Sequence, residues 1–206
     1  MNIRIKISRK PVKYSKAIEY LEKRVKSLQS KNDDELLWVC NHPNTYTAGI
    51  SSKNSEILDK NIKIIKTNRG GKITWHGPGQ QIFYFVIDLA KRDKDIRKFV
   101  KIIEKIIIDT LKEYKIEAFA DRKNVGIWVK KKNRLLKIAA IGIRIKKWVA
   151  YHGFSININN DLQTYKKIIP CGIKDRGVTN LIEIKKQNFR NFDNTIIKNF
   201  LKNLKS

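Results

Sequence analysis

Cys171 is the residue of this 206-residue chain whose surroundings best suit nucleophilic chemistry. It stands in IIPCGIK, after an apolar run and between Pro170 and Gly172, a combination that marks a tight turn rather than a packed interior position. A thiol on such a turn is open to substrate, and it reacts as the thiolate when a cation or oriented amides lie in reach. The second cysteine, Cys40, sits inside LLWVC and reads as a small buried hydrophobe. Lys137 opens KIAAIGIRI, where Ala139, Ala140 and Gly142 leave room for a ligand or a second backbone. It is a candidate cation for a thiol, and equally a solvated strand end in a lysine-rich chain. Three histidines complete the set. His76 lies in RGGKITWHGPGQ between two glycine turns, either to support those turns or to face a ligand. His152, in YHGFSININ, reads as a base or fixed donor or as a satisfied structural side chain. His42, in NHPNTY, reads as a structural loop residue.

Other chemistries are disfavoured. No paired Cys or His stands at metal-ligand spacing, so neither a metal nor another cofactor is expected. The glycine segment matches neither GxxxxGK[ST] nor GxGxxG. The net charge of +26 invites a polyanion partner. However, the surplus is dispersed and the whole composition leans to Lys, Ile and Asn, as AT-rich coding would produce. A nucleic-acid-binding protein is the rival this leaves open, and it lacks an aromatic binding motif.

The elements that must position these residues follow from periodicity. Ile3 to Ile7 alternates as a strand, and a helix from about Ser15 aligns Ile18, Leu21, Val25 and Leu28. Leu36 to Cys40, Ile62 to Thr67 and Gln81 to Leu89 read as strands, with HPNTYTAGI and the glycine segment as connections. A long helix over Asp95 to Tyr114 carries Ile96, Phe99, Val100, Ile103, Ile107 and Leu111 in one stripe, with Asp95 as its cap. Val125 to Val129, Ile138 to Ile145 and Trp148 to Ile158 read as strands with short connections, and Asn191 to Leu204 as a last helix. The expected architecture is α+β, a single domain over residues 1–206 built on a mixed or antiparallel sheet flanked by helices. No apolar run reaches the roughly 20 residues of a membrane span. A cytoplasmic protein with free thiols is expected.

In order and spacing, LLWVCNHPNTYTAGI, RGGKITWHGPGQQIFYFVIDL, KIAAIGIRI, YHGFSININ, IIPCGI and VTNL resemble the lipoyl(octanoyl) transferase family. The resemblance implies a fold like that of biotin and lipoate protein ligases and a catalytic pair of Cys171 and Lys137. It implies acyl-binding walls made of Arg69, Gly70, Gly71, Lys72, Ile73, Thr74, Trp75 and His76, of Ala140, Ile141 and Gly142, and of Gly153, Phe154 and Ser155. Phe154 departs from the smaller or aliphatic residue usual after this glycine. The implied reaction takes an octanoyl group from octanoyl-acyl carrier protein. It delivers the group to lipoyl domains of 2-oxoacid dehydrogenase complexes and to the glycine cleavage H protein. No metal, nucleic-acid or membrane partner is expected, and a monomer is expected. Related lipoate ligases activate the acid with ATP and lack a cysteine at this position, so PCGI favours the transferase over an ATP-dependent ligase.

Overall fold

The computed structural model of the chain describes residues 2–31, 33–173 and 176–205. Its strands are β1 (Ile3–Ile7), β2 (Glu35–Cys40), β3 (Thr45–Ala48), β4 (Ile64–Lys66), β5 (Ile73–His76), β6 (Gln80–Asp88), β7 (Phe119–Ala120), β8 (Ile127–Lys131), β9 (Arg134–Lys146), β10 (Val149–Asn157) and β11 (Gly177–Val178). The helices are α1 (Tyr14–Gln29), α2 (Ile96–Glu113), the short α3 (Leu181–Ile184) and α4 (Phe192–Lys205).

The main sheet runs β1-β2-β6-β10-β9-β8-β7, with β11 added to β9, and a smaller sheet runs β4-β3-β5. Pairings in the main sheet are antiparallel except β1 with β2 and β11 with β9, so the sheet is mixed, as the short connections predict. Side chains alternate across a strand, and here both faces are covered, so β2 and β6 read as unbroken apolar runs. Leu36, Trp38, Cys40, Ile82, Tyr84 and Val86 pack with the Ala17, Leu21, Val25 and Leu28 face of α1. Leu37, Val39, Phe83, Phe85 and Ile87 point the other way, into a core shared with α2 and α4.

The helices follow their sequence signals closely. Asp95 caps α2, its carboxylate accepting the Lys98 N–H at 2.9 Å. The buried stripe is Phe99, Ile103, Ile106, Ile107 and Leu111, while Ile96 is exposed at the first turn. Helix α1 begins one residue before Ser15, and buried Tyr14 takes the leading place on its inner face, where Ile18 is only half-buried.

Two segments read as connections contain strands. HPNTYTAGI holds β3, and the glycine segment holds β5, the two pairing antiparallel with Thr45 opposite His76 and Thr47 opposite Thr74. Each is four residues long and framed by glycine or proline, too short for periodicity to show. No helix among the described residues is long and apolar enough to cross a membrane.

Candidate active site

Strand β5 divides its residues between two environments. Ile73 and Trp75 enter a small core with Tyr46, Tyr165 and Ile168, and the Trp75 indole donates to Asn44. Thr74 and His76, one position out of phase, line a cavity of about 380 Å³. Ile73 and Trp75 therefore stand behind the wall rather than on it. Gly70 is outside the lining too. It backs the wall, where a Cβ on Gly142 would come within 3.3 Å of its carbonyl. The other expected wall residues, Arg69, Gly71, Lys72, Ala140, Ile141, Gly142, Gly153, Phe154 and Ser155, border the cavity together with Cys171 and Lys137. Phe154 is 3% exposed and stacks on Phe83 with centroids 5.0 Å apart, so most of its bulk lies in the α2–α4 core.

Cys171 and Lys137 lie far apart in sequence, and β11 lays the chain that follows the Cys171 turn against β9. Just beyond the Cys171 turn, Val178 takes its place beside Lys137 of β9, and the Thr179 N–H donates to the Lys137 carbonyl at 2.9 Å. Lys137 is 5% exposed. Its ammonium donates to the Val125 carbonyl at 2.9 Å and lies 4.8 Å from the centroid of the Trp128 ring. Cys171 is partly exposed, unlike the fully buried Cys40, whose thiol burial pushes far up from its ordinary value. Cys171 and Gly172 both take left-handed backbone, with φ of +56° and +67°. For a cysteine that conformation costs about 1–2 kcal/mol, and strain of this kind clusters at functional sites. At Gly172 a side chain would collide with the Lys72 ammonium and come within 2.7 Å of the Glu56 carboxylate. Those two form an ion pair of 2.9 Å, and the Glu56 carbonyl also takes the Ile169 N–H at 2.8 Å. The turn is thus clamped from below.

Arg69 binds the glycine turn to the small sheet. Its guanidinium donates to the carbonyls of Gly70 (3.0 Å), Thr47 (3.0 Å) and Lys72 (2.7 Å) and to the Thr47 hydroxyl (2.9 Å). Burial pulls it down from its ordinary value, with opposing attraction from Tyr14, Cys171 and Tyr84. Of the two glycine turns, only this one borders the cavity along its backbone; Gly77, Pro78 and Gly79 lie outside the lining.

The partners fix the histidine tautomers. His42 must donate from Nδ1 to the Val12 carbonyl (2.6 Å), leaving Nε2 to accept from the Tyr84 hydroxyl (2.8 Å), a structural role as its loop position suggests. The Gln80 amide donates to Asn157 at 2.9 Å, so its carbonyl accepts the His76 Nδ1–H at 2.7 Å. Asn68 donates to Glu22 at 2.8 Å and accepts the His152 Nε2–H at 2.7 Å. His152 reaches Asn68 from the middle of β10 by adopting a φ of +68°.

Both cavity histidines are held neutral. Burial foremost pushes His76 down to about 3, with His42 and Arg69 adding to the effect. Burial foremost, then Arg69 and Arg144, brings His152 down to about 3. An unfolded histidine titrates near ~6.5. The unfolded chain therefore binds protons between about pH 6.5 and 3 that the folded chain refuses, and stability falls as pH drops through that window. At pH 5 the loss is about 2 kcal/mol per histidine. Urea melts at pH 7 and pH 5 are expected to differ by roughly 4 kcal/mol from this pair. Equal stability at the two values would contradict neutral histidines in the fold.

Several lining residues carried no usable sequence signal. Tyr84 sits in the apolar run of β6, where only its phase relative to Ile82 could have placed it on the cavity side. Tyr14 precedes the visible helical pattern, Lys123 and Asn124 lie in an irregular loop, and Val125, read from the sequence as the start of a strand, belongs to that loop because β8 begins only at Ile127.

Comparison with known proteins agrees with this arrangement. The family described as "Lipoyl protein ligase A/B catalytic domain" matches residues 13–201. An octanoyltransferase of Wolbachia sp. subsp. Brugia malayi is 41% identical over 199 residues, covering 95% of this chain and 97% of that protein. An octanoyltransferase of Ehrlichia ruminantium (strain Gardel) is 45% identical over 178 residues, covering 85% and 86%. A crystal structure of lipoate-protein ligase A bound with ATP superposes with a TM-score of 0.79 at 19% identity, over 100% of this chain and 86% of that one, a likeness of fold alone. With its match running nearly end to end, the chain belongs to the lipoyl protein ligase A/B catalytic domain family, and it is an acyltransferase of the octanoyltransferase kind.

Proposed function

We propose that octanoyl transfer in this protein runs through a thioester on Cys171, with Lys137 as the activating cation. The supporting observation is that a strained, partly exposed thiol and a buried ammonium border one cavity. In the first step the Cys171 thiolate attacks the thioester of octanoyl-acyl carrier protein. The carbonyl carbon gains a bond to Sγ and loses its bond to the carrier sulfur, which departs and is protonated. In the second step a lysine ε-amine of a lipoyl domain attacks the new thioester. The amide C–N bond forms, the C–S bond breaks, and the amine proton passes by way of Lys137 to solvent or to the departing sulfur.

An ammonium beside the sulfur favours the thiolate, and at ~4 Å two unit charges interact by about 4 kcal/mol at an effective dielectric of 20. Of the two glycine turns, the one from Arg69 to Lys72 borders the cavity, and its peptide N–H groups are the candidates for holding the tetrahedral oxyanion. Burying the octanoyl tail contributes roughly 5–6 kcal/mol at about 0.8 kcal/mol per carbon. The cavity volume of about 380 Å³ lies in the range of ~300–1,000 Å³ common for small-molecule sites. The acceptors in this reading are the lipoyl domains of 2-oxoacid dehydrogenase complexes and the glycine cleavage H protein. The enzyme acts as a cytoplasmic monomer, and its +26 charge steers acidic partners toward it.

Because a thioester carries the acyl group in, no nucleotide is needed. Mixing the chain with octanoyl-acyl carrier protein and a lipoyl domain in ATP-free buffer is expected to give the octanoylated domain. Product formed only from free octanoate and ATP would point to a ligase instead.

A further inference from the structure

Among the described residues no carboxylate lies within ion-pair distance of the Lys137 ammonium, although it is almost completely buried. Its neighbours are the Val125 carbonyl and the face of Trp128, itself 1% exposed. Trp128 is held on two further sides. Its indole N–H donates to the Asn124 carbonyl at 2.9 Å, and the Arg176 guanidinium lies 4.9 Å from the ring centroid. Asn124 and Val125 belong to the loop over residues 121–126, which Asp121 closes. The Asp121 carboxylate takes the Arg176 guanidinium, the Lys123 N–H at 2.8 Å and the Asn124 side-chain amide at 3.2 Å. Gly126 allows the close approach, with φ of +130° and a position where a Cβ would meet the Ala139 carbonyl at 2.7 Å and the Lys137 ammonium at 3.2 Å.

We propose that Trp128 is a positioning residue for the reaction, its ring face holding Lys137 as an ammonium beside Cys171 while the Asp121–Arg176 pair keeps the loop closed over both. The proposal rests on the Cys171–Lys137 reading above. An aromatic face attracts an ammonium through its quadrupole without cancelling the charge. A carboxylate in the same place would make the pair neutral overall and leave little net positive potential at the sulfur. Pairing Arg176 with Asp121 fits the same logic, because it keeps a carboxylate of the loop occupied away from Lys137.

The test is the rate at which iodoacetamide alkylates Cys171; Cys40 is fully buried and stays silent. Trp128→Leu is expected to lower that rate about tenfold at pH 7 and to leave it nearly unchanged near ~pH 9, where a thiol ionises without help. Trp128→Phe, which keeps an aromatic face, should retain most of the rate. The effect of Trp128→Leu should vanish in a Lys137→Met background. The other charges bordering the cavity, Arg69, Lys123 and the Lys72–Glu56 pair, are common to all these variants. Should Trp128→Leu fail to fold, ring-fluorinated tryptophan at this position preserves shape and the N–H, and the pH 7 rate should fall stepwise with fluorination. An equal loss at both pH values, a loss that persists without Lys137, or indifference to fluorination would overturn the proposal. An acyl-enzyme still formed by Cys171→Ala would place the failure in the nucleophile assignment instead.

Discussion

Lys137→Met is expected to lower the rate of acyl-enzyme formation at neutral pH by roughly a hundredfold to a thousandfold while leaving the fold as stable as before, or more so. The activity term follows from losing the cation that favours the thiolate, worth up to about 4 kcal/mol before desolvation is subtracted. The stability term has the opposite sign. A buried ammonium met by one carbonyl and one ring face pays for its desolvation without an ion pair, and apolar replacements of buried charges are often neutral or stabilising by about 1–4 kcal/mol. Methionine has similar length and would rest on Trp128. Stopped-flow acylation alongside thermal melts separates the two terms. A variant that loses activity only because it melts earlier would show that Lys137 serves the fold.

The second large effect is steric. In Gly153→Ala the new Cβ would overlap the Phe83 carbonyl oxygen and approach the Phe83 carbonyl carbon at 2.9 Å and Tyr84 Cα at 3.0 Å. These are backbone atoms of β6, the strand hydrogen-bonded to β10 at this point, so relief requires parting two central strands. A loss of about 4 kcal/mol or more is expected, at the exceptional end for single substitutions, with a fall in melting temperature of roughly 10 °C. Gly142→Ala is the control. The nearest atoms to its Cβ would be the Gly70 carbonyl oxygen at 3.3 Å and Arg69 Cδ at 3.4 Å. That variant should fold, with a narrower cavity that favours shorter acyl chains. Similar melting curves for the two alanine variants would contradict the close approach of β10 to β6.

These expectations differ in how far the sequence alone could reach them. The stripe on α2 is visible because the helix packs one regular face on the core, and the alternation in β10 because Phe154 and Ile156 enter that core while Ser155 faces the cavity and Asn157 bonds Gln80. Cys171 and Cys40 were separable because Pro170 and Gly172 frame one and an apolar run encloses the other. By contrast, β3 and β5 are four residues each, and their pairing is settled by Arg69 reaching across to Thr47 rather than by a local pattern. The burial of Lys137 could not be read among 45 lysines and arginines. It depends on a loop more than ten residues upstream folding over the side chain. Trp128 looked like one more apolar residue in a strand, because an aromatic ring carries no sequence mark for the cation it will meet.

The most direct measurement is the intact mass of the chain after brief mixing with octanoyl-acyl carrier protein in the absence of acceptor. The wild-type chain is expected to gain one octanoyl group, released by hydroxylamine and mapped to the peptide containing Cys171, and Cys171→Ala is expected to gain none. An octanoyl group on the alanine variant, or a wild-type chain that transfers acyl groups without ever carrying one, would contradict the covalent route.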